Sequence, residues 1–151
     1  MNDQYKNSYK ATAKELVSLS VYNVGYQLCD AGYQWGPGIR DHYLIHYVIS
    51  GKGTYEVNNE THFLSAEDAF LVYPNTEIIY RADAKTPWEY AWVGFTGSDA
   101  ATILQATDFS RKHPCIHAVP NGEEVKRQLL HIYDARGNCL LYTSPSPLDC
   151  S

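Results

Sequence analysis

Short runs rich in Val, Ile, Tyr, Phe and Trp follow one another between residues 43 and 96, and each run ends at Gly, Asn, Pro or Asp. β-Branched and aromatic residues favour strands, whereas the residues between the runs favour tight turns. This succession of strands and turns predicts an all-β barrel or sandwich. At 151 residues the chain has room for one such domain around one buried core.

Alternation of apolar and polar residues sets the expected strand boundaries. Both faces of the strand 42–50 carry bulky side chains, so we expect it to be buried on both sides. Asn58 and Asn59 tolerate positive φ and predict a two-residue hairpin turn. Residues 29–41 contain several glycines and Pro37, which predict an irregular loop. The predicted strands are 16–28, 42–50, 54–57, 61–64, 69–73, 77–81 and 88–96.

After residue 97 the spacing of the apolar residues changes from that of a strand to that of a helix. Ser98 is a suitable N-cap for a short helix from Asp99 to about Ala106. Asn121 and Glu124 have the spacing of a capping box and predict the start of a second helix. An apolar stripe on the second helix must cover the barrel or a partner subunit. The stripe consists of Val125, Leu129, Ile132 and Tyr133.

The two ends of the sequence lack both periods. Residues 1–15 are polar, and we expect an N-terminal arm that is disordered or docks onto the body. Residues 138–151 hold two prolines and are similar to a translated sequencing adaptor. We therefore expect a non-native or disordered tail, with the natural protein continuing differently after Gly137.

Composition narrows the classes of protein to consider. A formal net charge of -5 argues against a chain that itself grips a phosphate backbone. No apolar run approaches the roughly 20 residues of a membrane span, and the polar start lacks a signal peptide, so we expect a cytoplasmic protein without membrane contact. The four cysteines are widely spaced, which predicts reduced thiols rather than a disulfide framework.

The ordered combination of segments 43–53, 54–64, 66–76 and 88–95 resembles the N-terminal effector-binding cupin domain of AraC-type transcription regulators. The resemblance extends from about Val17 to Arg136. It implies a mainly β fold, a cupin or jelly-roll barrel over residues 16–97, followed by two C-terminal α-helices. Residues 98–137 would be a helical dimerisation segment, here incomplete, and the helix-turn-helix units that bind DNA would be missing from this sequence.

The resemblance also implies a small-molecule effector, a mono- or disaccharide, and a homodimer that meets DNA only through the missing C-terminal domain. In the arabinose regulator of this family a tryptophan stacks on the sugar, and Trp92 matches it. Tyr80 and Arg40 lie near positions that approach the sugar there, and alternation places Tyr90 and Trp88 on the face of Trp92. The candidate ligand-binding residues are Trp92, Tyr90, Tyr80, Arg40, His42, His46, Trp88 and Trp35.

The physical argument for a sugar rests on the residue types. An indole covers the apolar C–H face of a sugar ring, while charged and amide groups bind its hydroxyls. With 13 tyrosines and 3 tryptophans the chain has the aromatic faces for this role, although either Trp88 or Trp92 alone would more often be ordinary core.

Cupins include metal-dependent enzymes, and this alternative predicts clustered histidines and a carboxylate around an ion. His42 and His46 share a strand face but lie about 13 Å apart along an extended strand, too far to hold one ion. Glu77, Ile78 and Ile79 stand where a later histidine ligand would fall. We therefore expect no metal, no cofactor and no catalysis. A small metal-dependent cupin enzyme acting on a sugar or similar metabolite, and a purely structural dimerisation module, remain as alternatives.

Overall fold

The computed structural model of the chain describes residues 20–128, which form two antiparallel sheets followed by a helical segment. Their elements, in chain order, are β1 (Ser20–Leu28), β2 (Gln34–Ile39), β3 (Tyr43–Ser50), β4 (Lys52–Val57), β5 (Glu60–Ser65), β6 (Ala69–Val72), β7 (Glu77–Ala82), β8 (Glu89–Thr96), α1 (Ala100–Leu104), β9 (Cys115–Ile116) and α2, described over residues 122–128.

The sheet topology defines the fold. The five-stranded sheet has the order β1-β8-β3-β6-β9, and the four-stranded sheet has the order β2-β7-β4-β5. The orders β1-β8-β3-β6 and β2-β7-β4-β5 are those of an eight-stranded jelly roll made of two Greek keys. The predicted mainly β jelly-roll barrel is confirmed.

Strand β3 separates two apolar cores, as the bulky residues on both its faces predict. Leu44 and Val48 point into the space between the sheets, where they join the core around Phe70 and Trp88. Tyr47 lies on the opposite face, in a second core that α1 and the following segment cover. The barrel thus has a closed interior on one side of the five-stranded sheet and a helical layer on the other.

The hairpin prediction is also confirmed. Val57 pairs with Glu60 across a two-residue turn, in which Asn58 and Asn59 have φ values of 54° and 65°. These values place both residues in the left-handed region, which asparagine tolerates better than most residues. The turn therefore fixes the register of β4 against β5.

The prediction of an irregular loop over residues 29–41 is wrong for residues 34–39, which form β2. This strand is at the edge of its sheet and pairs only with β7 there. The pairing is irregular between Trp35 and Gly38, and Pro37 falls in that gap. Proline lacks a backbone donor, and an edge strand with an irregular register accommodates it without losing a ladder bond.

Smaller differences lie after the barrel. Helix α1 begins at Ala100 with Asp99 in the N-cap position, one residue later than the sequence indicates. Strand β9, which pairs with β6, was not predicted. In α2, Val125 packs against the second core, while Glu124 contacts Arg127 and Gln128 rather than completing a capping box.

Several predictions fall on residues that lie outside the described range. They are the arm 1–15, the start of the first strand at residues 16–19, the apolar stripe from Leu129 onward and the tail 138–151. Within residues 20–128 no helix is long and apolar enough to cross a membrane. Cys29 and Cys115 are free thiols, and burial raises the pKa of Cys115 to about 12.

Candidate ligand-binding site

An interior cavity of about 180 Å³ lies between the two sheets, where β1, β3 and β8 face β2 and β7. Its floor is buried, and its rim is partly exposed. The floor residues are Leu44, His46, Tyr80 and Tyr90. The rim residues are Asn23, Gln27, Tyr33, Trp35, Arg40 and Trp92.

The structure brings most of the candidate residues together in this cavity. They are Trp92, Tyr90, Tyr80, Arg40, His46 and Trp35. They come from β2, β3, β7 and β8 and from the residue that follows β2, and the pairing of these strands brings them together. His46 and Trp92 are direct partners across β3 and β8, whereas Trp35 and Tyr80 are direct partners across β2 and β7.

Two candidates do not line the cavity. Trp88 is fully buried and packs against Phe70, with ring centroids 5.7 Å apart, so it belongs to the solid core. His42 is buried near the start of β3, where its Nδ1 lies 2.8 Å from Oδ1 of Asp41. Alternation correctly places both on the interior side, but the cavity occupies only part of that interior.

The indole of Trp92 packs against a glycine on the neighbouring strand. Gly25 is its partner in the β1–β8 ladder, and a β-carbon at Gly25 would come within 2.0–2.5 Å of three atoms of the indole. The indole therefore lies directly over the Gly25 backbone, in space that any other residue would fill. This contact fixes the ring, which is half-buried at the rim.

Arg40, Trp35 and Tyr80 form the opposite part of the wall. The Arg40 guanidinium carbon lies 3.9 Å from the Trp35 ring centroid, a cation–π contact, and its Nη2 donates to the Tyr80 hydroxyl at 3.2 Å. Trp35 also stacks on Tyr80, with centroids 5.5 Å apart and planes 11° from parallel. These contacts orient a cation that no acidic side chain of the cavity lining neutralises.

His46 forms the polar part of the floor. Its ring stacks on Phe70 with a centroid distance of 4.5 Å and touches Tyr90 edge-on at 4.8 Å. Burial, with a contribution from the charge of Arg40, lowers the pKa of His46 to about 3. The imidazole is therefore neutral at physiological pH, with one ring nitrogen as donor and the other as acceptor.

Three buried polar atoms of the lining residues have no hydrogen-bond partner among the residues the structure describes. They are Oδ1 of Asn23, Nε of Arg40 and Nδ1 of His46. A buried polar atom without a partner costs about 1–3 kcal/mol, so native proteins rarely leave one unsatisfied. The three side chains line the cavity beside two indoles, a combination suited to a ligand with an apolar face and several hydroxyl groups.

Sequence reasoning missed Asn23, Gln27, Tyr33 and Leu44 as lining residues. Strand alternation could have identified the first two. Asn23 and Gln27 are two residues before and after Gly25 on one strand, so all three are on the same face. Tyr33 lies in the loop just before β2, where no alternation assigns a side chain to a face. Leu44 has the ordinary pattern of a core residue, and nothing in the sequence separates it from Val48.

Other hollows lie outside the barrel. One of about 500 Å³ is an open groove on the outer face of the four-stranded sheet, lined among others by Lys52, Phe63 and Arg81. Phe63 is 73% exposed there. Within residues 20–128 no group of three or more His, Cys, Asp or Glu side chains is arranged to hold a metal ion.

The jelly-roll topology and the polar–aromatic interior cavity define a cupin-type barrel with a candidate site for a small ligand. The chain belongs to the AraC-like ligand binding domain family, whose model matches residues 20–139.

Curated relatives are transcription regulators. The chain is 42% identical over 97 residues to the Msm operon regulatory protein of Streptococcus mutans, covering 64% of this chain and 35% of the relative. It is 37% identical over 116 residues to the raffinose operon transcriptional regulatory protein of Pediococcus pentosaceus, covering 76% and 42%. It is 26% identical over 105 residues to the lactose operon transcription activator of Staphylococcus xylosus, covering 70% and 38%.

The matched region is therefore less than half the length of each of these relatives. Among solved structures, a cupin 2 conserved barrel domain protein from Salinispora arenicola is similar in fold, with a TM-score of 0.45 and 9% identity over 58% of this chain and 82% of that one.

Proposed function

We propose that this chain is the effector-sensing part of an AraC-type transcription regulator and that the effector is a sugar bound in the interior cavity. The observation that carries the proposal is the cavity itself, in which Trp92 lines the same space as the polar side chains of Asn23, Arg40 and His46. An indole covers the C–H face of a sugar, and the polar atoms bind its hydroxyls.

The relatives support a sugar as the effector. Two of them regulate operons named for raffinose and lactose. We propose that the effector of this chain is of the same kind, a mono- or disaccharide or a short oligosaccharide related to these two sugars. The neutral floor suits an uncharged, oxygen-rich ligand, whose hydroxyls can accept hydrogen bonds from the guanidinium of Arg40.

DNA binding and dimerisation belong to the same proposal. The net charge of -5 suits a sensor better than a surface that grips a phosphate backbone. DNA would be contacted by a further part of the regulator, in keeping with the greater length of the relatives. A homodimer would form through the helical segment that begins with α1 and α2.

Thermal unfolding of the 151-residue chain with panels of sugars and of divalent metals tests the proposal. A sugar at 100 times its dissociation constant should stabilise the fold by about 2.7 kcal/mol. Trp92→Ala should abolish this response, whereas Phe63→Ala, which removes an exposed aromatic side chain outside the cavity, should leave it unchanged.

Two results would contradict the proposal. A response to a metal ion alone, together with turnover of a sugar, would favour a cupin enzyme. A sugar response that persists in Trp92→Ala and disappears in Phe63→Ala would move the binding site from the interior cavity to the outer groove.

A further inference from the structure

We infer that a second pocket, on the helical side of the five-stranded sheet, binds a small organic anion, namely an apolar ring that carries one carboxylate or phosphate group. The pocket lies where β3 and the residue after β6 meet α1 and the turn that follows it. Its lining includes Tyr43, Tyr73, Leu104, Phe109, Ser110 and Arg111. None of the described residues lines both this pocket and the interior cavity, so an anion site here does not depend on a sugar site there.

The size of the pocket suits one substituted ring. Its volume is about 290 Å³, compared with about 180 Å³ for the interior cavity. Pockets that enclose a drug-sized ligand start at about 300 Å³. A six-membered ring with one charged substituent is smaller than such a ligand and therefore fits.

Part of the lining is apolar and firmly packed. Leu104 and Phe109 are only 5% and 9% exposed and belong to the second core. Tyr43 stacks on Phe95 across β3 and β8, with centroids 5.4 Å apart and planes 11° from parallel. The same ring meets Tyr73 edge-on at 5.7 Å. The pocket thus offers a preformed apolar and aromatic surface for the ring of a ligand.

Arg111 supplies a positive charge to this lining. Its guanidinium carbon lies 4.3 Å from the ring centroid of Tyr73, a cation–π contact that orients the side chain. Among residues 20–128 the guanidinium has no ion-pair partner. A guanidinium has five N–H donors and binds carboxylate and phosphate groups through two parallel hydrogen bonds. These donors are therefore available to an anion.

The turn that carries Arg111 is fixed to the barrel. Ser110 and His113 exchange two backbone hydrogen bonds, each 3.0 Å long. The Ser110 hydroxyl also accepts a hydrogen bond from the backbone N–H of His113 at 3.0 Å. The carbonyl of Pro114 accepts one from the backbone N–H of Leu71 in β6 at 2.8 Å. Because the fold already sets the position of the turn, a ligand bears less of the cost of ordering it.

The electrostatic surroundings favour an anion as well. Arg111, Lys112 and His113 are consecutive in a chain whose formal net charge is -5. Asp108, the nearest acidic residue along the chain, is exposed and does not line the pocket. Burial raises the pKa of Tyr73, although the charge of Arg111 opposes that rise. Tyr73 is therefore a neutral phenol, which can donate a hydrogen bond.

The pocket and the interior cavity lie on opposite faces of β3. Tyr43 lines the pocket, whereas the next residue, Leu44, lines the interior cavity. Successive side chains of a strand point to opposite faces, so the sheet separates the two sites. A ligand in the pocket is therefore a second effector and not a competitor of the sugar.

Isothermal titration calorimetry of the 151-residue chain at low ionic strength tests the inference with matched probes. Phenyl phosphate is compared with inorganic phosphate, which lacks the ring, and benzoate with benzyl alcohol, which lacks the charge. We expect both aromatic anions to bind at one site per chain, and inorganic phosphate and benzyl alcohol to bind at least about tenfold more weakly. Added salt should weaken the binding of both anions. Binding of one aromatic anion alone would support the site and identify its charged group.

Three variants locate the site. Arg111→Gln removes the charge that lines the pocket and should weaken binding of the aromatic anion at least about tenfold. Lys112→Gln removes the same charge from the adjacent residue, which does not line the pocket, and should weaken binding less than about threefold. Ala101 is exposed in α1 and lines the pocket, so Ala101→Phe should fill it and abolish binding with Arg111 still present.

Each contrary result is specific. The absence of binding by both aromatic anions would overturn the inference. Inorganic phosphate binding as tightly as phenyl phosphate, or equal losses in Arg111→Gln and Lys112→Gln, would indicate general attraction to a basic turn and would also overturn it. The comparison of probes uses the native chain and decides the question even if a variant fails to fold. Failure of every sugar to bind would overturn the proposed function and leave this site unaffected.

Discussion

Gly25 and Trp92 determine the shape of the candidate site at the scale of single residues. Gly25→Ala would place a methyl group within 2.0 Å of the indole, and the ring must move because the backbone of β1 is paired. We expect a loss of about 1–3 kcal/mol of stability from overpacking and the loss of sugar-induced stabilisation. Urea unfolding with and without the best sugar measures both.

Gly32→Ala is the matched control for Gly25→Ala. Gly32 has a φ of 72°, so alanine there is strained, but no atom lies within 4 Å of the added methyl group. This variant should lose about 1 kcal/mol of stability and keep the full sugar response. An intact sugar response in Gly25→Ala would show that the position of the Trp92 indole does not matter for binding.

His46 gives a pH-dependent contribution to stability. In the unfolded chain a histidine titrates near 6.5, whereas burial and the charge of Arg40 hold the pKa of His46 in the fold at about 3. Below pH 6.5 the unfolded state therefore takes up a proton that the folded state does not. The free energy of unfolding therefore has its full value with respect to His46 above pH 6.5, and it decreases as the pH falls toward 3.

We expect His46 to cost the fold about 2 kcal/mol between pH 6.5 and pH 5, since each pH unit contributes about 1.4 kcal/mol. Urea unfolding of the native chain and of His46→Gln at several pH values isolates this contribution, because the other titrating groups are common to both proteins. Parallel pH profiles for the two proteins would contradict a buried neutral His46.

The sequence predicts the candidate residues better than it predicts their neighbours. Trp92 and Tyr80 follow from the family resemblance and Tyr90 from strand alternation, and all three line the cavity. Trp88 satisfies the same alternation but packs into the core. Alternation predicts which face of a sheet a side chain is on. It does not predict whether that side chain lines the cavity between the sheets or packs into the solid core.

At the scale of elements, hydrogen bonds to Asp68 connect the barrel to the segment that leads into α2. Its buried carboxylate accepts hydrogen bonds from the backbone N–H of Ser65 at 2.8 Å and of Ala118 at 2.9 Å, and from Nδ1 of His117 at 3.1 Å. The backbone N–H of Val119 also donates to the carbonyl of Glu67. These bonds join the start of β6 to residues 117–119.

Replacing this carboxylate should loosen the start of α2. For Asp68→Asn we expect a loss of about 1–3 kcal/mol, because an amide offers poorer acceptors to the same donors. Hydrogen exchange of the amides of residues 122–128 should accelerate as the segment detaches. His117→Ala removes only the exposed partner and should cost less than about 1 kcal/mol. Equal effects of the two substitutions would contradict a central role for the carboxylate.

Elements were predictable where local chemistry specifies them. The Asn58–Asn59 turn and the alternating strands from β3 to β8 follow from turn residues and period. Strand β2 was missed because glycines and Pro37 weaken its local signal, and only pairing with β7 makes it a strand. Strand β9 has two residues and exists through its pairing with β6, information that no local pattern contains.

At the scale of the whole molecule, the five-stranded sheet connects the cavity to the helical layer. His46 lines the cavity and stacks on Phe70 of β6, and Phe70 pairs through its backbone with Cys115 of β9. Asp68, two residues before Phe70, fastens the segment that enters α2. Strand β6, whose Phe70 packs against the cavity residue His46, therefore begins beside the attachment of the helical layer.

A crystal structure of the 151-residue chain with the sugar that stabilises it most in thermal unfolding tests the central claim most directly. We predict a sugar in the interior cavity, with its C–H face on Trp92 and its hydroxyls within hydrogen-bond distance of Asn23, Arg40 and His46. A sugar bound in the outer groove beside Lys52, Phe63 and Arg81, with the interior cavity unchanged, would contradict the account.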